Sequence, residues 1–249
     1  CSLKRKRPPR IEIPNVLREI PCSGSDRNDG VSSSAGSGFA ALSLKGKKKF
    51  MEDAHRAYRF DDEKVFFFGV YDGHGGSKAA EFASENLHVR IMEQISKNNR
   101  SKEAAVAMGY LKTDEEFLKQ GIGSGACCVT ALIHGRNSMV VSNLGDCRAV
   151  LCRNGAAEPL TSDHCPSRDD ERRRIEDQGG YVEFHRGMWR THGSLAVSRS
   201  IGDSHLKEWG VIAVPDSKLV ELNPETEYLL LASDGLWKHV GDQEAVDVV

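Results

Sequence analysis

The sequence lacks a long hydrophobic run, a large excess of either charge and any pair of cysteines spaced C-x-x-C. No apolar stretch approaches the length of a membrane-spanning helix. The formal net charge of -2 argues against a general nucleic-acid binder, which would carry a basic surface. The seven cysteines are odd in number and include the adjacent Cys127 and Cys128. They favour free thiols in a reducing compartment over a disulfide framework or a zinc site, so we expect the cytoplasm, the nucleus or both.

The 249 residues suffice for one sizeable domain, preceded by a segment of different composition. This segment contains a basic run followed by Pro8-Pro9, and then a stretch rich in Ser, Gly, Asp and Asn over residues 22–38. Proline opposes helix formation, and small polar residues favour a flexible link. We therefore predict a flexible N-terminal extension over residues 1–38 and a folded domain over residues 39–249. The opening at Cys1 rather than Met also predicts that the natural N-terminus is missing.

An apolar run that leads into a polar, glycine-rich loop is the clearest local signal. Residues 65–71 are too short for a membrane span and are typical of a buried strand. The run ends at Asp72, and the glycines around His74 let a ligand approach the backbone closely. The end of this strand therefore presents a carboxylate, an unobstructed backbone carbonyl and an imidazole. Such a set suits a site for a hard cation and a molecule that the cation activates. A tight turn with a surface histidine is the alternative.

Two other apolar stretches have the same arrangement. Residues 228–232 lead to Asp234, and residues 140–144 lead to Asp146. Core strands that finish near a carboxylate can collect several acids at one edge of a core. Mg²⁺ and Mn²⁺ prefer such oxygen ligands. The pattern therefore predicts a divalent-metal site built from residues that are distant in sequence.

Two adjacent acids, Glu52 and Asp53, follow a lysine cluster at residues 47–49. A solvated face normally intersperses charges of opposite sign, so this separation makes the two acids candidates for the same site. A surface strand with charge partners is the alternative interpretation.

The remaining pattern mixes helices with antiparallel strands. Apolar residues at three-to-four spacing predict helices over residues 77–96 and 98–118. Residues 126–151 have a strand pattern with short turns, which implies antiparallel neighbours. Residues 184–194 show no periodicity and predict a loop, in which Met188-Trp189 is either a packed anchor or a substrate contact.

Taken together, these motifs resemble the metal-dependent Ser/Thr protein phosphatases of type 2C. The resemblance covers about residue 40 to the end, and the matching runs follow the family's order. They are residues 46–54, 72–76, 124–126, 143–149, 160–164, 193–203 and 232–237. The resemblance implies the α+β class, as a four-layer α-β-β-α sandwich with two central antiparallel sheets. It also implies hydrolysis of phosphoserine and phosphothreonine in proteins by a metal-activated water.

The resemblance assigns metal ligands. Asp72 would bridge two Mg²⁺ or Mn²⁺ ions, the Gly73 carbonyl would hold one ion and Asp234 the other. Glu52 and Asp53 would complete the cluster, directly or through bound water.

It also assigns residues to the phosphate and to the leaving group. Asp146 matches a residue tied to a looser third cation. His74, beside Asp72, would be the general acid for the leaving serine or threonine oxygen, because an unperturbed imidazole pKa near 6.5 suits that role. Lys48 stands where the family carries an arginine for the substrate phosphate. Lysine lacks arginine's bidentate fork, so we expect weaker phosphate binding unless Lys47 or Lys49 contributes.

Two departures from the family pattern concern the metal site. Lys238 stands where the family usually has an aspartate, which weakens the case for a third cation. The chain ends at Val249, before the position of the family's last metal ligand, so we expect a C-terminally truncated domain.

The N-terminal segment resembles the docking motif by which proteins engage mitogen-activated protein (MAP) kinases. The basic and apolar residues that carry this resemblance are Lys4, Arg5, Lys6, Arg7, Ile11 and Ile13. In this mode of recognition the bases meet an acidic patch, and the apolar side chains fill pockets. It predicts a MAP kinase as the phosphorylated partner and a likeness to plant phosphatases that damp kinase signalling. A nuclear-import signal or a solvated basic arm is the alternative.

Two other functions compete with a phosphatase. A docking protein on a weak or inactive catalytic fold is favoured by Lys48 and Lys238, and is opposed by Asp72, His74 and Asp234. A two-metal nuclease has little support because the domain has no basic surface. For the phosphatase we expect a monomer that binds neither nucleic acid nor membrane.

Overall fold

In the computed structural model the described residues form two compact units, one that ends at Met51 and one that begins at Glu52. The residues that it describes are 31–36, 38–60, 65–97, 101–135 and 137–249. The predicted docking residues 4–13 lie outside the described residues.

The first unit contains a two-stranded antiparallel ladder. Strand β1 (Val31–Gly36) pairs with β2 (Phe39–Leu44), and Val31 lies opposite Leu44. We predicted a flexible link over residues 22–38, but regular structure begins by Val31. Backbone pairing with β2 forms this strand, although glycine and alanine are depleted in strands. Lys48, the predicted phosphate ligand, belongs to this unit, and its backbone N–H donates to the Lys45 carbonyl at 3.3 Å.

The larger sheet of the second unit has six strands. They are β3 (Ala54–Phe60), β4 (Val65–His74), β5 (Gly125–His134), β6 (Ser138–Leu144), β11 (Ile201–Gly202) and β12 (Asp216–Glu221). The order is β12-β6-β5-β4-β3, and β11 pairs with β5. All neighbours are antiparallel, which confirms the prediction made for residues 126–151, where β5 pairs with β6.

Two helices cover one face of this sheet. They are α1 (Lys78–Lys97) and α2 (Lys102–Leu118), close to the predicted bounds. Because side chains alternate between the faces of a strand, Val65 and Phe67 of β4 point to this side. They pack in one cluster with Leu87 and Ile91 of α1.

The smaller sheet contains three strands, and two helices lie on its outer face. The strands are β7 (Arg148–Arg153), β8 (Ala156–Pro159) and β13 (Thr226–Ala232), and the helices are α4 (Asp234–Trp237) and α5 (Asp242–Val248). The strand order is β13-β7-β8. Val150 and Cys152 of β7 pack on the outer side with Trp237 and Val246.

A second apolar cluster lies between the two sheets. Ala149 and Leu151 of β7 meet Cys127 and Val129 of β5 there. The layers are therefore helices, sheet, sheet and helices, which confirms the predicted α+β class and four-layer sandwich. No helix among the described residues is long and apolar enough to cross a membrane.

The segment between β8 and β11 corrects one prediction. We expected a loop over residues 184–194, but β9 (Val182–His185) and β10 (Met188–Thr191) form an antiparallel hairpin. The rings of Phe184 and Trp189 meet edge to face across this hairpin, with centroids 5.6 Å apart. Both strands are short and largely exposed, so no inward-facing apolar pattern marked them in the sequence. Helix α3 (Asp169–Asp177) precedes the hairpin.

Candidate metal centre and active site

Three aspartates from separate parts of the second unit come together at one point. One carboxylate oxygen from each of Asp72, Asp146 and Asp234 lies within 4.8 Å of the others. All three residues are half-buried. The structure therefore brings together the three acids that follow the three apolar stretches. Their role as metal ligands stays a prediction.

Asp72 is positioned by β4 itself. The strand continues to His74 rather than ending at Asp72, and Asp72 lies opposite Cys127 of β5. Side chains alternate along the strand, so Asp72 points away from the helices, towards the smaller sheet. Pairing with β5 on one side holds the backbone through residue 74, which the glycine-rich sequence did not indicate.

Gly73 is required by the close approach of Glu52. A Cβ atom at position 73 would lie 2.2 Å from the Glu52 carbonyl oxygen. The Glu52 side chain reaches the glycine-rich loop, where its Oε1 accepts the Gly76 N–H at 2.8 Å. This contact places the predicted ligand Glu52 beside the segment that carries Asp72 and Gly73.

Asp53 connects the start of the larger sheet to the end of the smaller one. The Ser233 hydroxyl donates to Asp53 Oδ2 at 3.1 Å. Ser233 follows β13 directly and precedes Asp234, so this hydrogen bond brings the predicted ligands Asp53 and Asp234 into one neighbourhood.

Asp146 lies in a turn that is held by the imidazole of His164. The backbone N–H of Gly145 donates to His164 Nδ1 at 3.1 Å, and the backbone N–H of His164 donates to the Gly145 carbonyl at 2.8 Å. His164 is fully buried, and its Nε2 lies 3.0 Å from Asp216 Oδ2. Burial, and then the negative charge of Asp234, raise the pKa of the Asp146 carboxyl. The turn thus holds the Asp146 carboxylate close to the Asp234 carboxylate.

Asp234 begins α4, and Lys238 lies one helical turn later. The Lys238 ammonium forms an ion pair with Asp234 Oδ2. Burial opposes the charge on Lys238, but the hydrogen bond and the attraction to Asp234 raise its pKa above the usual value. The residue that departs from the family pattern therefore contacts a predicted metal ligand.

His74 is paired with an acid to which we assigned no role from the sequence. Its Nε2 lies 2.7 Å from Asp203 Oδ2, and the Asp203 side chain is only 6% exposed. Burial lowers the pKa of His74, but the hydrogen bond and the charge of Asp203, aided by Asp72, raise it above the usual value overall. A buried acid therefore fixes the ring of the predicted general acid and favours its protonated form.

The segment around Asp203 is shaped to present this carboxylate. Asp203 adopts a left-handed conformation with φ 49°, which aspartate tolerates better than most residues. The Ser200 hydroxyl donates to Asp203 Oδ2 at 2.6 Å. A Cβ at Gly125 would lie 2.2 Å from Asp203 Oδ2 and 2.3 Å from His74 Nε2. Only glycine at position 125 leaves space for the two side chains to meet.

A partly buried ion pair supports the same segment. Lys207 Nζ lies 3.0 Å from Asp114 Oδ2 on α2, and it donates to the Ser200 carbonyl at 2.7 Å. The Gly202 N–H donates to Asp114 Oδ1 at 2.7 Å. One sequence signal could have indicated Asp203, namely a Gly-Asp pair that closes a polar Ser-Arg-Ser run.

The donor set fits hard divalent cations. The observed cluster consists of carboxylates, and the Gly73 carbonyl is predicted to join it; Mg²⁺ and Mn²⁺ prefer such oxygen ligands. Burial, and then the negative charge of Asp234, raise the pKa of Asp146, and the three carboxylates lie within 4.8 Å of one another, so a cation among them would lower the energy of the ionised cluster.

Comparisons with known proteins identify the family. Residues 37–249 match the family described as protein phosphatase 2C. The chain is 56% identical over 225 residues to probable protein phosphatase 2C 14 of Arabidopsis thaliana, covering 89% of this chain and 50% of the relative. It is 48% identical over 263 residues to probable protein phosphatase 2C 32 of rice (Oryza sativa subsp. japonica), covering 99% of this chain and 66% of the relative. The chain thus spans about half to two thirds of the length of these relatives.

Solved structures share the fold. A C. elegans sex-determining protein superposes with a TM-score of 0.77 at 25% identity, covering 81% of this chain and 52% of that one. A serine-threonine phosphatase 2C from Toxoplasma gondii gives a TM-score of 0.71 at 24% identity, covering 80% and 78%. The protein phosphatase 2C family is metal-dependent, in agreement with the cluster of Asp72, Asp146 and Asp234. The extent of the sequence match and the identity to the plant relatives establish that this chain belongs to the protein phosphatase 2C family.

Proposed function

We propose that the protein is a metal-dependent phosphatase that hydrolyses phosphoserine and phosphothreonine in proteins. The observation that carries the proposal is the convergence of Asp72, Asp146 and Asp234 within 4.8 Å. The pairing of His74 with Asp203 at 2.7 Å supports it, because phosphate-ester hydrolysis needs a proton donor as well as a metal centre.

Two Mg²⁺ or Mn²⁺ ions would be held by residues of the second unit. Asp72 and the Gly73 carbonyl are the proposed ligands on β4, Asp234 is the ligand on α4, and Glu52 and Asp53 complete the set. Asp146 is the proposed ligand of a third, weaker cation. When bound, such ions lower the pKa of a water molecule and neutralise phosphate charge.

The protein's own groups would handle the leaving group. Asp203 holds Nε2 of His74. The proton for the leaving serine or threonine oxygen would therefore come from Nδ1 of the same ring. Asp203 fixes the orientation of the ring and stabilises its protonated form, as a carboxylate does for a catalytic histidine in other hydrolases.

Lys48 is the proposed ligand of the substrate phosphate. Its ammonium supplies a single charge, whereas an arginine would supply two parallel hydrogen bonds. Turnover of phosphopeptides with a raised Michaelis constant is the expected consequence.

Replacement of Asp72 by asparagine tests the function. We expect Asp72→Asn to lose Mn²⁺-dependent hydrolysis of a phosphothreonine peptide, together with Mn²⁺ binding in calorimetry. Asp170→Asn is the control, since Asp170 is an exposed partner of Arg168. A wild-type protein that binds Mn²⁺ but hydrolyses no phosphopeptide would favour the alternative, a docking protein on the same fold.

We propose further that the partner is a MAP kinase, bound through Lys4, Arg5, Lys6, Arg7, Ile11 and Ile13. The support is the order of bases and alternate apolar residues, which suits an extended peptide on an acidic groove. A kinase pull-down should fail when Lys4 to Arg7 are replaced by alanine. Retention of the kinase by that variant would contradict docking through the basic run.

The compartment and oligomeric state are also proposals. All cysteines in the described residues are free, which suits a reducing cytoplasm or nucleus. We propose a monomer, and size-exclusion chromatography with light scattering would test this.

A further inference from the structure

We infer that Lys238 is an internal counter-ion that competes with divalent cations for Asp234. The lysine thereby sets the affinity of the metal centre. The inference rests on the metal ligation in the proposed function, but not on hydrolysis.

The contact itself is the first observation. Lys238 follows Asp234 by four residues, and its ammonium forms an ion pair with Asp234 Oδ2. Residues four apart lie on the same side of a helical turn. The backbone supports this spacing, because the Lys238 N–H donates to the Asp234 carbonyl at 2.9 Å.

The surroundings of the pair are the second observation. The carboxylate of Asp234 belongs to the group in which oxygens of Asp72 and Asp146 lie within 4.8 Å. The negative charges of Asp146 and Asp72 also attract the Lys238 ammonium. The Lys238 ammonium therefore faces the same carboxylates that the metal ion would bind.

A divalent cation and the Lys238 ammonium cannot both bind the Asp234 carboxylate favourably. A dication on Asp234 would lie within a few ångströms of the lysine charge and would repel it. The side chain of Lys238 is 56% exposed, whereas that of Asp234 is 29% exposed. Lysine can therefore swing into water when a metal binds, at the cost of its attraction to the acids.

Direct metal binding tests the inference. We expect Lys238→Met to lower the Kd for Mn²⁺, measured by isothermal titration calorimetry, by about fivefold, which is the scale of a partly exposed ion pair. Lys238→Arg keeps the charge and should retain a Kd near that of the wild type.

The chain offers a matched control for the loss of one positive charge. Lys119 forms the same type of pair at the exposed C-terminal end of α2, where its ammonium lies 2.7 Å from the carboxylate of Glu115, four residues earlier. Lys119→Met should leave the Mn²⁺ affinity unchanged. An equal gain in affinity in both Met variants would overturn the inference, because it would show an effect of net charge alone.

A second measurement needs no variant and decides the matter if Lys238→Met fails to fold. In the wild type, we expect the rate of reductive methylation of Lys238, followed by mass spectrometry, to rise at least twofold when Mn²⁺ is added. Lys119 should react at the same rate with and without Mn²⁺. An unchanged rate at Lys238 while Mn²⁺ binds would overturn the inference.

The remaining outcomes separate this inference from the proposed function. Equal Mn²⁺ affinities of wild type and Lys238→Met would overturn only the role of Lys238. No Mn²⁺ binding by wild type, Lys238→Met or Lys119→Met would overturn the metal centre and this inference together.

Discussion

His74 and Asp203 are 129 positions apart in the chain, yet their side chains meet at 2.7 Å. The pairing of β11 with β5 brings them together, because Gly202 lies opposite Gly125, and Gly125 lies opposite His74. The histidine and its acid are thus placed by two neighbouring strand pairings rather than by a flexible loop.

Replacing Asp203 with asparagine should affect substrates unequally. Asparagine keeps the shape but removes the charge that orients and stabilises protonated His74. We expect kcat for a phosphothreonine peptide to fall by roughly ten- to a hundredfold, since general acid catalysis contributes about 10²- to 10⁴-fold. Nitrophenyl phosphate has a leaving group that needs no proton, so its kcat should change by less than about threefold. Parallel losses on both substrates would contradict a role through His74.

Glu171 should be the most costly acid to neutralise away from the metal centre. It is fully buried and binds Arg199 at 2.6 Å and Arg174 at 2.7 Å. Glu171→Gln leaves both guanidinium groups without their main counter-charge, which typically costs about 3–5 kcal/mol of unfolding free energy. Urea denaturation at pH 7 measures the loss. Glu176→Gln, which removes an exposed pair with Arg172, should cost less than about 1 kcal/mol.

The same glutamate should contribute to acid denaturation. Burial opposes its ionisation, but hydrogen bonds from Arg174, Arg199 and Ser198 lower its pKa well below the ordinary value of 4.5. Its stabilising effect is therefore complete above pH 4.5 and is lost as the pH falls towards the lowered pKa. Below pH 4.5 the unfolding free energy of Glu171→Gln should depend less on pH than that of the wild type.

His88 should make the protein sensitive to mild acid. Its ring lies among Tyr58, Phe60 and Phe67, and burial, followed by the charge of Arg56, lowers its pKa to about 4. The unfolded chain takes up this proton below about pH 6.5, whereas the folded chain resists it until about pH 4, so stability falls as the pH drops through this window.

Substitution with an aromatic residue should remove this dependence. His88 Nδ1 has no hydrogen-bond partner among the described residues, so His88→Phe should preserve stability at pH 7. Chemical denaturation between pH 7 and pH 4.5 should show a loss for the wild type that exceeds the loss for His88→Phe by about 2 kcal/mol. Identical slopes would show that protonation of His88 is not coupled to folding.

Gly73→Ala should destabilise the fold because the added methyl group meets a backbone atom. The new Cβ would lie 2.2 Å from the Glu52 carbonyl oxygen, and β4 cannot move away without loss of its pairing with β5. We expect about 1–3 kcal/mol of lost unfolding free energy, with weaker Mn²⁺ binding. Gly123→Ala is the control, because nothing lies within 4 Å of a Cβ at that position. Equal stability of the two variants would contradict the close approach.

The acidic cluster could be predicted from sequence because each aspartate has a local signal. Asp72, Asp146 and Asp234 each lie within or just after an apolar strand, so their positions depend on strand ends more than on the details of packing. Asp203 follows no apolar strand of this kind, and the Gly-Asp pair that marks it does not indicate His74 as its partner. Its proximity to His74 exists only because β11 pairs with β5, and a two-residue strand leaves no periodic pattern.

The hairpin of β9 and β10 and the contact of Lys238 could not be predicted for related reasons. Phe184 is 62% exposed, so its strand shows no alternation between buried and exposed apolar residues. Lys238 can pair with Asp234 only if a helical turn begins at Asp234, and the glycine at position 235 disfavours such a turn. In both cases a contact formed in the folded chain, the strand pairing or the ion pair, outweighed the local conformational preference of the sequence.

The hydrogen bond between Ser233 and Asp53 crosses from the smaller sheet to the larger one, and Asp72 and Asp234 are divided between the sheets in the same way. A divalent cation bound by both acids would link the two sheets of the sandwich. A chain whose sheets have separated would then offer no high-affinity site, so binding would be coupled to completed folding. Removal of the ion would then lower the free energy of unfolding.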